Sequence, residues 1–206
     1  MGMTLANAAI SALLNVALLA GLPFLFYFGY HKWRKKRAFA EIARRAGLGL
    51  GERRYLIYAL LASLVAVAAL LIWQPPLEPF TRKGSPQRAF VGLEFPLPAI
   101  PMALLYGLVK TGLAEEFLFR GLIAGSLSRR VPDLWANLLQ ATIFLLPHLL
   151  ILLVMPQMWA LLPVVFAGAL FAGWLRIRSG SILGPWLLHA SVNVAMCLSV
   201  AVRTAS

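Results

Sequence analysis

Long runs of apolar residues, separated by short polar or basic segments, dominate the chain. A helix needs about 20 apolar residues to cross the hydrocarbon core of a bilayer. By that measure the pattern predicts six spans, at about 5–30, 55–73, 98–128, 134–155, 158–176 and 182–203. We therefore predict an all-α fold, a polytopic transmembrane helical bundle, and treat residues 1–206 as a single membrane domain.

The composition agrees with a membrane protein. Of all residues 61% are hydrophobic and 13% are charged, against about 25% charged in soluble domains. On a soluble domain the net charge of +12 would suggest a nucleic-acid partner. Here the basic residues gather at the ends of apolar runs, as topology determinants do, so we expect the lipid bilayer and no nucleic acid as a partner. Richness in Ala, Leu and Arg favours a prokaryotic inner membrane.

The basic residues also predict an orientation. Of the nineteen Lys and Arg residues, thirteen follow the first, third and fifth spans, four lie on the opposite side, and two fall inside the third span. The basic side is expected in the cytoplasm, which puts both termini outside. Within the basic stretch 31–54, the segment from Trp33 to Ala46 could lie as a helix along anionic headgroups.

Two connections stand out by their prolines. Residues 74–97 contain five prolines and are predicted to form an external loop. Met155-Pro156-Gln157 joins the fourth and fifth spans and predicts a tight hairpin between them.

The third span contains charges that hydrocarbon does not tolerate without a reason, because each costs about 2.5–3.5 kcal/mol at the bilayer centre. Glu116 and Arg120 are four residues apart, share a helix face and can form an ion pair. Glu115 is rotated about 100° from Glu116 and is left without that partner. It is therefore a candidate general base, with a structural salt bridge beside a spare carboxylate as the alternative.

Two later spans contain imidazoles. His148 lies deep in the fourth span, directly after Pro147 and one turn after Phe144. In the last span His189 and Asn193 share a face at i,i+4 spacing. Singly, each site also fits interhelical hydrogen bonding. Together with the carboxylate of the third span, these side chains can supply what peptide hydrolysis requires: a base that activates water and hydrogen-bond donors for the oxyanion.

Three motifs in this order resemble those of the CPBP family, which includes CAAX prenyl endoproteases, Abi-like proteins, and lysostaphin-resistance-like and bacteriocin-immunity membrane proteins. The motifs are Glu115-Glu116-x-x-x-Arg120, Phe144-x-x-x-His148 and His189-x-x-x-Asn193. The flanking text, EEFLFRG from Glu115 and GWLRIRSGSILGPWLLHASVNV from Gly173, is similar as well. The resemblance covers about residues 99–200, which we take as the catalytic core.

The resemblance implies an intramembrane endopeptidase with its site in a cavity between helices. It implies that Glu115, with His148, activates a water, and that His189 and Asn193 form the oxyanion hole. Glu116 is carried over as a motif member of less defined role, and Arg120 as its structural partner. The implied substrate is a membrane-associated peptide or lipidated protein, including the prenylated CAAX type. The oligomeric state is left open.

Alternatives stay open at this point. Glu115, His148 and His189 also form a His₂Glu set of the type that binds catalytic zinc. The resemblance favours a glutamate-dependent, metal-free mechanism with no cofactor, because in that interpretation Asn193 completes an oxyanion hole and Asn is a poor zinc ligand. Two other classes use the same residues differently: a non-enzymatic immunity or regulatory protein, in which they form a polar core, and a proton-coupled transporter, in which they relay protons.

Overall fold

The structure is a computed structural model and describes residues 4–153 and 155–205. Throughout these ranges the chain forms helices and turns and no strand, which confirms the all-α prediction. The two chain ends, whose placement outside was predicted, and Val154, within the predicted fourth span, lie outside the described residues.

The helices are numbered here in chain order, and two of them mix α and π turns. They are α1 (Leu5–Arg34), α2 (Phe39–Arg45), α3 (Arg53–Trp73), α4 (Glu78–Thr81), α5 (residues 99–127), α6 (Asp133–Ile151), α7 (Leu162–Ser179) and α8 (Leu183–Thr204). Short 3₁₀ turns cover Pro86–Phe90 and Pro156–Leu161. Within α5, π turns at Leu105–Leu113 and Phe117–Ala124 alternate with the α-helical segments Ala99–Leu104, Ala114–Glu116 and Gly125–Leu127.

Among the described residues, five helices are long and apolar enough to cross a membrane. They are α1, α3, α6, α8, and α7 together with the 3₁₀ turn that precedes it. Helix α5 corresponds to the predicted third span and forms a continuous helix. It contains Lys110, Glu115, Glu116 and Arg120, too many charges to qualify by composition, so its crossing stays a prediction.

Helix α8 packs against α3, α5 and α7, and α6 packs along α7. The close approach of α5 to α8 depends on Gly107. A Cβ atom at that position would lie 2.6 Å from Val194 Cγ2 and 2.9 Å from the backbone oxygen of Ala190. Small residues at helix contacts let backbones approach closely inside a bilayer, and here Gly107 lets the helices that carry the first and the last motif come together.

The three basic segments meet at one end of the bundle. A backbone hydrogen bond of 3.1 Å joins Ile182 to Gly47, and the guanidiniums of Arg129 and Arg176 both donate to the backbone oxygen of Arg45. Such a common end is what the charge asymmetry predicts. Within the segment from Trp33 to Ala46, helix α2 covers Phe39–Arg45.

The opposite end is formed by the proline-rich segment and the C-terminal part of α8. Arg203 donates to the backbone oxygen of Pro75 at 2.9 Å. The segment 74–97 was predicted as a loop, but it contains α4 and a 3₁₀ turn. Burial of Phe80 and Phe90 explains this difference, because both aromatic side chains anchor the segment against the bundle.

Candidate active site

A buried ion pair lies at the centre of the candidate site. Arg120 Nη1 is 2.9 Å from Glu116 Oε1, and each side chain is at most 2% exposed. The same guanidinium lies over the ring of Phe144, with Cζ 4.2 Å from the ring centroid. Glu116 and Arg120 are one helical turn apart on α5, so the helix itself holds the pair in register.

His189, on α8, lies between the two carboxylates of α5. Its Nδ1 atom is 2.8 Å from Glu116 Oε1, and its Nε2 atom is 4.0 Å from Glu115 Oε2. An ionised carboxylate can only accept hydrogen bonds, so Nδ1 donates to Glu116 and Nε2 is the nitrogen directed toward Glu115. The imidazole therefore links two helices that are separated by more than seventy residues in sequence.

Asn193 lies one turn after His189 and is held by a residue that the sequence analysis missed. Its Nδ2 atom donates to Thr111 Oγ1 at 2.8 Å, and the Thr111 hydroxyl donates to the backbone oxygen of Tyr106 at 3.0 Å. Thr111 precedes Glu115 by one helical turn, so it shares the face of α5 that carries the carboxylate. That spacing was the one available signal, and a lone threonine in an apolar run does not draw attention to it.

His148, on α6, packs against the ring of Phe144. Its Nδ1 atom is 2.9 Å from the backbone oxygen of Phe144, and since a carbonyl only accepts, Nδ1 carries the proton and Nε2 has the free lone pair in the neutral ring. The ring centroids of His148 and His189 lie 4.7 Å and 6.2 Å from that of Phe144. Within residues 4–153 and 155–205, no hydrogen bond or ion pair joins His148 to Glu115.

Burial is graded across the site. Glu116 is fully enclosed, whereas the side chains of Glu115 and His189 are 22% and 20% exposed. Glu116 Oε2 is buried without a hydrogen-bond partner in the described part of the chain, so Oε1 alone receives Arg120 and His189. Glu116 is thus the buried carboxylate that contacts His189 Nδ1, and Glu115 is the more accessible carboxylate near His189 Nε2.

The described residues do not form the zinc site that the sequence left open as an alternative. Among the described side chains, no three His, Cys, Asp or Glu residues converge as ligands for one metal ion. Glu115 Oε2 and His189 Nε2 are neighbours at 4.0 Å, but no hydrogen bond or ion pair joins His148 to either residue within the described part of the chain. The donor set Glu115, His148 and His189 therefore does not fit a metal ion in this geometry.

One of the comparisons with known proteins, the family match, agrees with the resemblance drawn from the motifs. Residues 96–195, nearly half of the chain, match the family model of the type II CAAX prenyl endopeptidase Rce1-like proteins. No curated protein and no solved structure was found to match the chain. The family match confirms the resemblance over the segment that contains all three motifs, and the matched family is one of peptidases. The five long apolar helices among the described residues agree with a multi-pass membrane protein.

Proposed function

We propose that this chain is an intramembrane endopeptidase that hydrolyses a peptide bond of a membrane-associated protein or peptide, with prenylated CAAX-type proteins as the substrate class. The observation that carries the proposal is the position of His189 between Glu115 and Glu116. The family match over residues 96–195 supports both the reaction and the substrate class.

Charge balance defines the ground state of the site. In the proposed ground state both Glu115 and Glu116 carry a negative charge; Arg120 pairs with Glu116, and Glu115 lies near His189. An uncompensated charge is costly below the headgroups, and a protonated His189 brings the cluster to neutrality. In that form the imidazolium donates through Nδ1 to Glu116 and retains a second N–H at Nε2.

Glu115 is the general base. A water beside its carboxylate loses a proton to Glu115 while the water oxygen attacks the carbonyl carbon of the substrate. The 4.0 Å separation between Glu115 Oε2 and His189 Nε2 is too long for a direct hydrogen bond and suits a bridging oxygen atom. We assign His148 an assisting role, with its Nε2 lone pair available to a second hydrogen of the water.

His189 and Asn193 stabilise the oxyanion. Attack converts the carbonyl oxygen into an oxyanion, which accepts hydrogen bonds from His189 Nε2 and from the amide hydrogen of Asn193 that Thr111 leaves free. Breaking of the C–N bond follows, and the proton held by Glu115 moves to the leaving amine. The base, the donors and their supports are all side chains of this chain, and the proposal assigns no cofactor.

Reconstituted protein tests this assignment. The full chain in proteoliposomes is incubated with a farnesylated CAAX peptide, and mass spectrometry identifies any new carboxyl terminus. We expect cleavage by the wild type, none by His189→Ala, weaker cleavage of the unprenylated peptide, and unchanged rates after treatment with a metal chelator. Equal cleavage by the wild type and His189→Ala contradicts the proposal, and loss of cleavage on chelation contradicts its cofactor-free form.

A further inference from the structure

A small cavity lies at the basic end of the bundle, apart from the candidate active site. Its volume is about 100 Å³, and its lining residues are His31, Arg45, Ser126, Arg129 and Arg130. Sites for drug-sized ligands measure about 300–1,000 Å³, so this cavity suits a single small group. No carboxylate is among the lining residues.

The lining presents hydrogen-bond donors. His31 is 7% exposed, and Arg37 Nη1 lies 3.0 Å from its Nδ1 atom. Because a guanidinium only donates, Nδ1 accepts, and the proton of the neutral ring is on Nε2. With the guanidiniums of Arg45, Arg129 and Arg130, the cavity therefore offers N–H donors from two helices and the segment after α5.

Neutral groups hold the Arg129 guanidinium in place. Arg129 donates to the hydroxyl of Tyr27 at 3.0 Å and to the backbone oxygen of Arg45 at 3.3 Å. Arg45 Nε is buried and has no hydrogen-bond partner among the described residues. Partial burial lowers the pKa of the Arg129 guanidinium, and the neighbouring Arg45 and Arg130 lower it further. Because none of the lining residues is a carboxylate, the lining does not neutralise the positive charge at the cavity.

One carboxylate is near but is shared. Glu41 Oε1 lies 2.9 Å from Arg37 Nε and 3.6 Å from Arg45 Nη1. Its main partner is therefore Arg37, which is not among the lining residues. The remaining N–H donors need an anion with several oxygen atoms that accept hydrogen bonds. A tetrahedral phosphate group has that chemistry.

Aromatic side chains place the cavity at the level of lipid headgroups. Tyr30, Trp33 and Phe39 are exposed at the end of α1, which carries His31, and at the start of α2. Exposed tyrosine and tryptophan side chains are typical of the membrane–water interface. Basic pockets at that depth between helices are suited to anionic headgroups. We propose that this cavity binds the phosphate group of an anionic phospholipid.

Purified wild-type protein tests the proposal without any substitution. Native mass spectrometry and thermal unfolding in detergent are measured with phosphatidylglycerol, with phosphatidylcholine and with inorganic phosphate. We expect one tightly bound phosphatidylglycerol and a raised Tm with that lipid, and neither effect with phosphatidylcholine. If inorganic phosphate binds as tightly as the lipid, or if the two lipids bind equally, the lipid assignment is wrong.

Matched variants locate the site. The pair Arg45→Gln with Arg130→Gln removes two guanidiniums of the cavity, and the pair Arg34→Gln with Arg44→Gln removes two exposed guanidiniums outside it. Both pairs lose the same charge. We expect phosphatidylglycerol to bind at least about tenfold more weakly to the first pair only. Equal weakening in both pairs overturns the proposal.

A milder variant is available if the first pair does not fold. Arg130→Gln alone changes an exposed guanidinium whose hydrogen bond to the backbone oxygen of Ser126 is long, at 3.5 Å. Its binding of phosphatidylglycerol is compared with that of Arg34→Gln. A smaller loss in the same direction supports the site, and no difference between these two single variants overturns it.

Discussion

His189 Nδ1 lies 2.8 Å from Glu116 Oε1, and this contact joins the last helix of the bundle to the carboxylate-bearing helix α5. Arg120 Nη1 lies 2.9 Å from the same oxygen. One buried carboxylate thus fixes both a guanidinium and an imidazole. The consequence is that Glu116 is proposed to orient His189, while the more exposed Glu115 is left to act on water.

Removing Arg120 should destabilise the protein more than any surface change. Arg120→Met leaves Glu116 buried beside His189 without its guanidinium, and breaking one partner of a buried pair costs about 3–5 kcal/mol. Unfolding in detergent measures the loss. Arg178→Met is the control, because Arg178 is 55% exposed and 3.9 Å from Asp133.

The double variant separates pairing from burial. Glu116→Gln combined with Arg120→Met removes both charges, and its stability should exceed that of Arg120→Met alone. If the two variants are equally stable, the ion pair does not account for the effect of losing Arg120.

Fold and site were predictable to different degrees from the sequence. Long apolar runs predicted the helices, because a bilayer leaves the backbone few other ways to satisfy its hydrogen bonds. The i,i+4 spacing of Glu116 and Arg120 is a local property of one helix and leads directly to the ion pair that the structure contains. Contacts within an element are thus accessible to sequence reasoning.

Contacts between elements were less accessible. The bond between Asn193 and Thr111 joins residues eighty-two positions apart, and it depends on how α5 and α8 are rotated against each other. The same holds for His148 on α6, whose position relative to Glu115 and His189 depends on how three helices pack. Residue spacing along one helix does not define how a neighbouring helix is rotated about its axis. The contact of Thr111 with Asn193 was therefore missed, and zinc binding by Glu115, His148 and His189 remained an open alternative.

Thr111 should act as a positioning residue for Asn193. Thr111→Val keeps the shape and removes the hydroxyl that holds the amide, so kcat should fall by up to about 100-fold with little change in KM, as misplacement of a transition-state donor does. Steady-state kinetics on the farnesylated peptide measure this. Thr111→Ser retains the hydroxyl and should retain most activity. A Thr111→Val variant with wild-type kcat would show that Thr111 does not position Asn193.

His148 should be needed for chemistry more than for folding. Its Nε2 atom is the free acceptor of the neutral ring, so His148→Ala should lower kcat by about 10²-fold or more while the variant still inserts and elutes as wild type. Added imidazole should restore part of the rate. No rescue, combined with a lowered Tm, would indicate a packing role against Phe144 instead.

Gly107 should be intolerant of a side chain. A methyl group there would overlap Val194 and Ala190 of α8, and overpacking of this kind costs about 1–3 kcal/mol. Gly107→Ala should therefore lower both Tm and activity, since α5 and α8 carry the site between them. Gly168→Ala is the matched control, because nothing lies within 4 Å of a Cβ atom at that position, and equal behaviour of the two variants would contradict the close approach.

The most direct measurement is the cleavage rate of Glu115→Gln on the farnesylated CAAX peptide in proteoliposomes, beside Glu78→Gln as the control. Glu78 is an exposed carboxylate of α4, and its variant should cleave at the wild-type rate. Glu115→Gln keeps the shape of the site but cannot take the proton from water, so its rate should fall by about 10²–10⁴-fold with unchanged insertion and Tm. Wild-type cleavage by Glu115→Gln would contradict the account.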